Sequence, residues 1–119
     1  MPLTNTLNVP RVANGVMSWM IARYPEIGIT DDTLTPVVAE CDDGRLNDIQ
    51  GRHVSELDVI QALDGASSGV VQEGTVGAGT GMVSYGFKGG HWISPKNCHL
   101  QQKFILLLAK NHLDLESCS

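Results

Sequence analysis

The chain has 119 residues, of which 42% are hydrophobic and 18% charged, with a formal net charge of −5; this bounds it to one globular domain with a modest core. Its eight Lys and Arg residues are scattered, so it lacks the clustered basic surface that phosphate binding needs, and nucleic acid is not an expected partner. The longest apolar run, Phe104 to Ala109, is far short of the roughly 20 residues of a membrane span, and no basic start leads into an apolar leader, so the expectation is a cytoplasmic protein with no membrane contact.

After a lead-in of eight residues, Val9, Val12, Val16, Trp19 and Met20 recur at helical spacing, which predicts a first helix over 9–24. Asn8 suits its cap, Pro10 its first turn, and Pro25 stops it. Trp19 and Met20 are expected to pack in the core. A loop follows over 26–35, and Pro36 to Cys41 reads as a short buried strand. Asp42-Asp-Gly44 is a turn signal. Ser55 opens a second helix, with Asp58 three residues on as a shorter-armed capping box. Leu57, Ile60 and Leu63 are expected to form its buried face, and Gly65 to end it. Val70 to Gln72 could begin a further strand.

Seven of the thirteen glycines then fall between Gly74 and Gly90. Such density suits a backbone that takes positive φ or passes close to another backbone or a ligand, so the segment reads as a site loop or a crowded sheet edge. After Gly90 the character changes. Two of three cysteines and three of four histidines lie in residues 91–119. Leu100, Phe104, Leu107, Leu108 and Leu113 could share one helical face, which predicts a helix over 99–116.

The glycine segment does not match a nucleotide site. Gly77-x-Gly79-x-Gly81 has the wrong spacing for a dinucleotide fingerprint, and Gly81 to Lys88 departs from the P-loop pattern at Phe87 and Gly89. His53, His91, His99 and His112 form no metal-ligand spacing, so no metal is expected, and no other cofactor is implied. Cys41, Cys98 and Cys118 fit neither a zinc nor a Cys-x-x-Cys pattern and read as free thiols, with a single disulfide as the alternative.

Several segments in order carry a resemblance: Leu3-Thr-Asn-Thr6, Pro36-Val-Val-Ala-Glu40, Leu46-Asn-Asp-Ile49 with Gly51 and His53-Val54, Ala62-Leu-Asp-Gly65, Glu73 to Met82, and Gly86-Phe-Lys-Gly-Gly90. Together they resemble the self-processing serine aminopeptidases, the L-aminopeptidase/D-esterase (DmpA-like) and β-peptidyl aminopeptidases. The resemblance covers residues 3–90. It implies an α/β fold, part of a layered αββα sandwich like that of N-terminal-nucleophile hydrolases. It also implies a homo-oligomer, and peptide, amide or ester substrates trimmed from their N-termini. Such enzymes cut their own chain before a Ser or Thr. The hydroxyl freed there becomes the nucleophile, and the new α-amine, with a pKa near about 7.7–8.0, can serve as its base.

By the resemblance, Asn47 of Leu46-Asn-Asp48 is the oxyanion-hole donor; read alone, it is a turn residue after Asp43-Gly44. Ser94 falls at the nucleophile's register. The family's Ile-Gly-Thr before that serine is replaced by His91-Trp-Ile93, so coincidence is the favoured reading of Ser94. The expected layout is therefore a partial aminopeptidase domain over 1–90 and a divergent tail over 91–119, with a shift of reading frame near codon 90 as its origin. On this reading the chain is an interior piece of the enzyme and does not turn over; the alternative is a non-catalytic α/β remnant that binds a partner or acts structurally.

Overall fold

A computed structural model describes residues 1–90 and the backbone of Ile105–Leu106. Strand β1 (Pro2–Asn5) leads through a 3-10 turn, Thr6–Asn8, into helix α1 (Val9–Arg23). Strand β2 (Ala39–Cys41) and helix α2 (Glu56–Asp64) follow. The glycine segment holds a second 3-10 turn, Gly77–Gly79, and the short strands β3 (Val83–Ser84) and β4 (Phe87–Lys88); β5 is Ile105–Leu106.

The main sheet has the order β2-β1-β5 and is parallel throughout. β1 is its centre, pairing Leu3 with Ala39, Thr4 with Glu40 and Asn5 with Cys41 on one side, and Pro2 with Ile105 and Leu3 with Leu106 on the other. The lone proline sits at the first strand position, where a missing N–H does least harm to the ladder. Parallel neighbours need a crossover, and α1 lies in the one between β1 and β2.

The helices pack through complementary stripes. On α1 the stripe is Val12, Gly15, Val16 and Trp19; on α2 it is Val59, Ala62 and Leu63, continued by Ala66. Both follow the i, i+3, i+4, i+7 spacing of one helix face. Val12, Val54 and Val59 are fully buried, and Val16, Val38, Ala62, Leu63 and Ala66 pack around them. The core is small and β-branched, so its shape is set by stiff side chains.

Several expectations hold. The first helix ends at Arg23, before Pro25, and α2 carries the capping box in full: Ser55 Oγ accepts from the Asp58 N–H at 3.3 Å, while the Ser55 N–H donates to Asp58 Oδ2 at 2.8 Å. Gly65 follows the last residue of α2.

Others are corrected. Asn8 is the cap of α1 by position, but its side chain makes no capping bond; it turns instead to Asn5. Trp19 is not core. Its indole Nε1 donates to Asp64 Oδ1 at 2.8 Å and its ring carries the Arg23 guanidinium at 4.4 Å from the centroid, because an indole has an N–H to satisfy and is best placed at a rim. On α2, Val59 takes the buried position and Leu57 is exposed, since the facing stripe runs through 59, 62, 63 and 66. The strand expected at 36–41 begins only at Ala39 and is half-buried: Pro36 has no N–H for a ladder. No strand forms at Val70–Gln72.

The helix expected over 99–116 fails at its two described positions, where Ile105–Leu106 is strand. Phe104 to Ala109 is a continuous apolar run, and such a run cannot be told from a buried parallel strand by period alone; pairing to β1 decides it. The rest of that span lies outside the described residues.

Candidate active site

Because β1 and β2 run parallel with Asn5 beside Cys41, the residues that follow both strands gather at one end of the sheet. This is the carboxyl end, where open α/β sheets bind ligands. From β1 come Asn5 and, one 3-10 turn later, Asn8. From β2 come Asp43 and the turn it starts, in which the Leu46 and Asn47 N–H groups donate to the Asp43 carbonyl at 3.1 and 3.0 Å. The turn reading of Asn47 is thus correct as local structure.

Asp43 is the hub. Its carboxylate is buried, 1% exposed. Oδ2 accepts from Asn47 Nδ2 at 2.8 Å and, more loosely, from Asn5 Nδ2 at 3.5 Å. Asn5 Oδ1 in turn accepts from Asn8 Nδ2. Thr4 Oγ1, Asn8 Oδ1 and Asp43 Oδ1 are buried with no hydrogen-bond partner. Buried polar atoms are usually paired, so an orphaned set near one end of a sheet makes this cluster the candidate site. Cys41, on the neighbouring strand end, has its thiol pushed up from the ordinary 9.0 by burial first, then by the Glu40 and Asp43 carboxylates; it is a free thiol and a poor nucleophile there.

The glycine segment closes over this hub. The Gly77–Gly79 turn, buried throughout, lies against β1. Gly81 passes so close that a Cβ there would stand 2.5 Å from Asp43 Cβ and closer still to Asn47 Nδ2. Farther on, Tyr85 and Gly86 take φ of 51° and 81°, the left-handed pair of a tight hairpin between β3 and β4. Lys88 Nζ reaches back to the Gly89 and Gly79 carbonyls at 2.6 and 3.3 Å. The first half of the segment lies against the polar hub, and its second half is a separate two-stranded hairpin and not an edge of the main sheet.

Of the two site residues expected from sequence, Asn47 is in this cluster, half-buried with its amide nitrogen on Asp43. Ser94 lies outside the described residues. Asn5, Asn8, Asp43 and Gly81 were not anticipated. Asp43 looks like an ordinary turn residue in sequence, and only its placement after a buried strand could have marked it. A separate recess of about 420 Å³, lined by Pro10, Arg11, Asn14, Arg52, Ser55 and Glu56, opens between the starts of the two helices and includes none of these residues. Among the described residues no cluster of His, Cys, Asp and Glu could hold a metal ion, and no helix is long and apolar enough to cross a membrane.

The sequence model of peptidase family S58 matches residues 1–107. This chain belongs to peptidase family S58. Among curated relatives, a β-peptidyl aminopeptidase (BapA) of Sphingosinicella xenopeptidilytica is 49% identical over 88 residues, and one of Sphingosinicella microcystinivorans is 45% identical over 91. These alignments cover 74% and 76% of this chain but 22% of either relative; the chain spans about a fifth of their length. Among solved structures, the PH0078 protein of Pyrococcus horikoshii OT3 matches with a TM-score of 0.66 at 42% identity. The L-aminopeptidase D-Ala-esterase/amidase of Ochrobactrum anthropi, described as a serine aminopeptidase prototype and a variant of the Ntn-hydrolase fold, matches at 0.63 and 51%. Each match covers 72% of this chain and 24% of the other. The expected α/β architecture, part of an Ntn-hydrolase-like fold, is therefore correct, and so is the family.

Proposed function

We propose that the chain carries the oxyanion side of a serine aminopeptidase site, for substrates that present a peptide, amide or ester bond next to a free N-terminus, and that it performs no turnover by itself. The observation that carries the first part is Asn47. Its amide nitrogen is anchored on a buried carboxylate, it lies against the backbone of Gly81, and no other described group takes its second N–H. A fixed amide donor aimed at a developing oxyanion is worth roughly 3–4 kcal/mol of barrier. The names of the relatives point to the same chemistry.

The second part rests on residues 91–93. Ser94 keeps the nucleophile's register, but His91-Trp-Ile93 stands in place of the Ile-Gly-Thr of the resembled motif. A hydroxyl becomes reactive only with a base placed beside it, and Trp92, a bulky side chain, stands where the resembled motif has a conformationally permissive Gly close to the bond to be cut. The same departure favours the second reading, a non-catalytic α/β piece.

Intact mass measured over days on the purified chain tests this, together with an amino-acid anilide assay and a Ser94→Ala control. One unchanged mass and no rate above the control are expected. A split before Ser94, with anilide hydrolysis that Ser94→Ala abolishes, would overturn the claim of inactivity.

A further inference from the structure

We infer that Asp43 is the positioning residue that sets the side-chain amide of Asn47. The inference deepens the reading of Asn47 as the oxyanion donor and rests on it for its functional meaning, but its geometry stands apart. A carboxylate can only accept. An amide has one face that donates and one that accepts. With Asp43 Oδ2 at 2.8 Å, Asn47 must present its nitrogen to Asp43, since turning its oxygen there would set two acceptors against each other. One N–H is held by Asp43. The other, fixed in the amide plane, is left for a second acceptor.

Three features make this a clamp. The carboxylate is 1% exposed, so water does not compete for it and its charge favours the donor strongly. The Asn47 backbone N–H is held by the carbonyl of the same Asp43, at 3.0 Å, so one residue fixes both ends of Asn47. Gly81 leaves the space that the amide occupies, and any side chain there would enter it. Behind the hub, Asn8 holds Asn5 and Asn5 touches Asp43 Oδ2, so the carboxylate is oriented from the β1 side as well. Asp43 Oδ1 remains without a partner; the carboxylate has capacity beyond what the scaffold uses, as a group shaped by a site would.

The test reads the Asn47 amide directly by 15N NMR on the full chain. In the unsubstituted protein, one of its two Nδ2 protons is expected to exchange with solvent much more slowly than the other. Two Asn47 protons exchanging alike, at the rate of an exposed amide, would overturn the inference without touching the family reading. Asp43→Asn keeps the volume and a neutral acceptor, and should retain part of the protection; Asp43→Ala should lose it while the backbone amides of α1 and α2 keep their shifts. Protection in Asp43→Ala equal to that of the unsubstituted protein would likewise overturn it. If instead the clamp is found but Asn47→Ala in the Ochrobactrum-type enzyme, at the aligned position, leaves kcat unchanged, the oxyanion reading fails and the positioning geometry survives.

Discussion

Gly15 of α1 sits directly over Val59 of α2: a Cβ built on Gly15 would meet Val59 Cβ at 2.8 Å and its two methyls at 3.0 and 3.1 Å. Val59 is fully buried and belongs to the central cluster. The two helices approach as closely as they do because one position on the contact stripe has no side chain.

Two effects oppose each other in Gly15→Ala. Alanine in a helix interior gains about 1 kcal/mol over glycine. Overpacking a fixed contact costs about 1–3 kcal/mol, and the atom met first is a Cβ, which cannot rotate away. The cost wins, and a net loss of about 1 kcal/mol is expected in urea titration. Val59→Ala in the same background takes away the two methyl contacts but keeps the Cβ, so it relieves part of the clash, and the double variant should lose less stability than the sum of the two single losses.

The capping box of α2 gives an independent prediction. Ser55→Ala removes the acceptor for the Asp58 N–H and the hydroxyl that donates to the Asp58 carboxylate, while the backbone N–H of residue 55 still donates there. A loss of about 1 kcal/mol is expected, since that is the usual cost of an N-cap. The midpoint should shift without a change in the urea m-value, because the surface exposed on unfolding is the same.

What was legible in the sequence was what depends on neighbours along the chain. Ser55 and Asp58, Pro25, Gly65 and the helical spacing of α1 state their roles within a few residues. The buried face of α2 was misread because Leu57 looks the better core residue, and only the direction of α1 shows that Val59 faces it. Trp19 was misread for the same kind of reason: its partner, Asp64, is at the far end of the other helix. Ile105–Leu106 became strand through pairing with residues a hundred positions away. The site divides likewise. Asn47 is singled out as a candidate only by the order of motifs in a family. The residues that hold it, Asp43, Asn5 and Gly81, come together only when two strand ends meet, and no local pattern marks that.

Gly81→Ala should damage the hub itself. The added methyl would displace Asp43 or the Asn47 amide, costing about 1–3 kcal/mol by overpacking and removing the protection of the Asn47 Nδ2 proton. Gly86→Ala is the matched control. Nothing stands near a Cβ there, but φ is +81°, so about 1–2 kcal/mol of backbone strain is expected with the Asn47 amide unaffected. Equal protection in both variants would show that Gly81 does not hold the Asn47 amide in place.

Cys41 supplies the pH-dependent prediction. Burial, then the Glu40 and Asp43 carboxylates, raise its thiol above the ordinary 9.0, so the folded chain holds that proton over a range in which the unfolded chain has released it. The sign follows from linkage: this contribution to stability is fully present below pH 9 and is lost as pH rises through the folded value. Alkylation requires the thiolate. At pH 8 to 9 the Cys41 peptide, followed by mass spectrometry after iodoacetamide, should therefore label more slowly in the native chain than in urea. Asp43→Asn removes one of the two charges that oppose ionisation and should speed native labelling, while Glu40→Gln should act in the same direction. Faster labelling of native than of unfolded Cys41 would mean that the thiol is ionised at the strand end, and the charge arrangement around Asp43 would have to be redrawn.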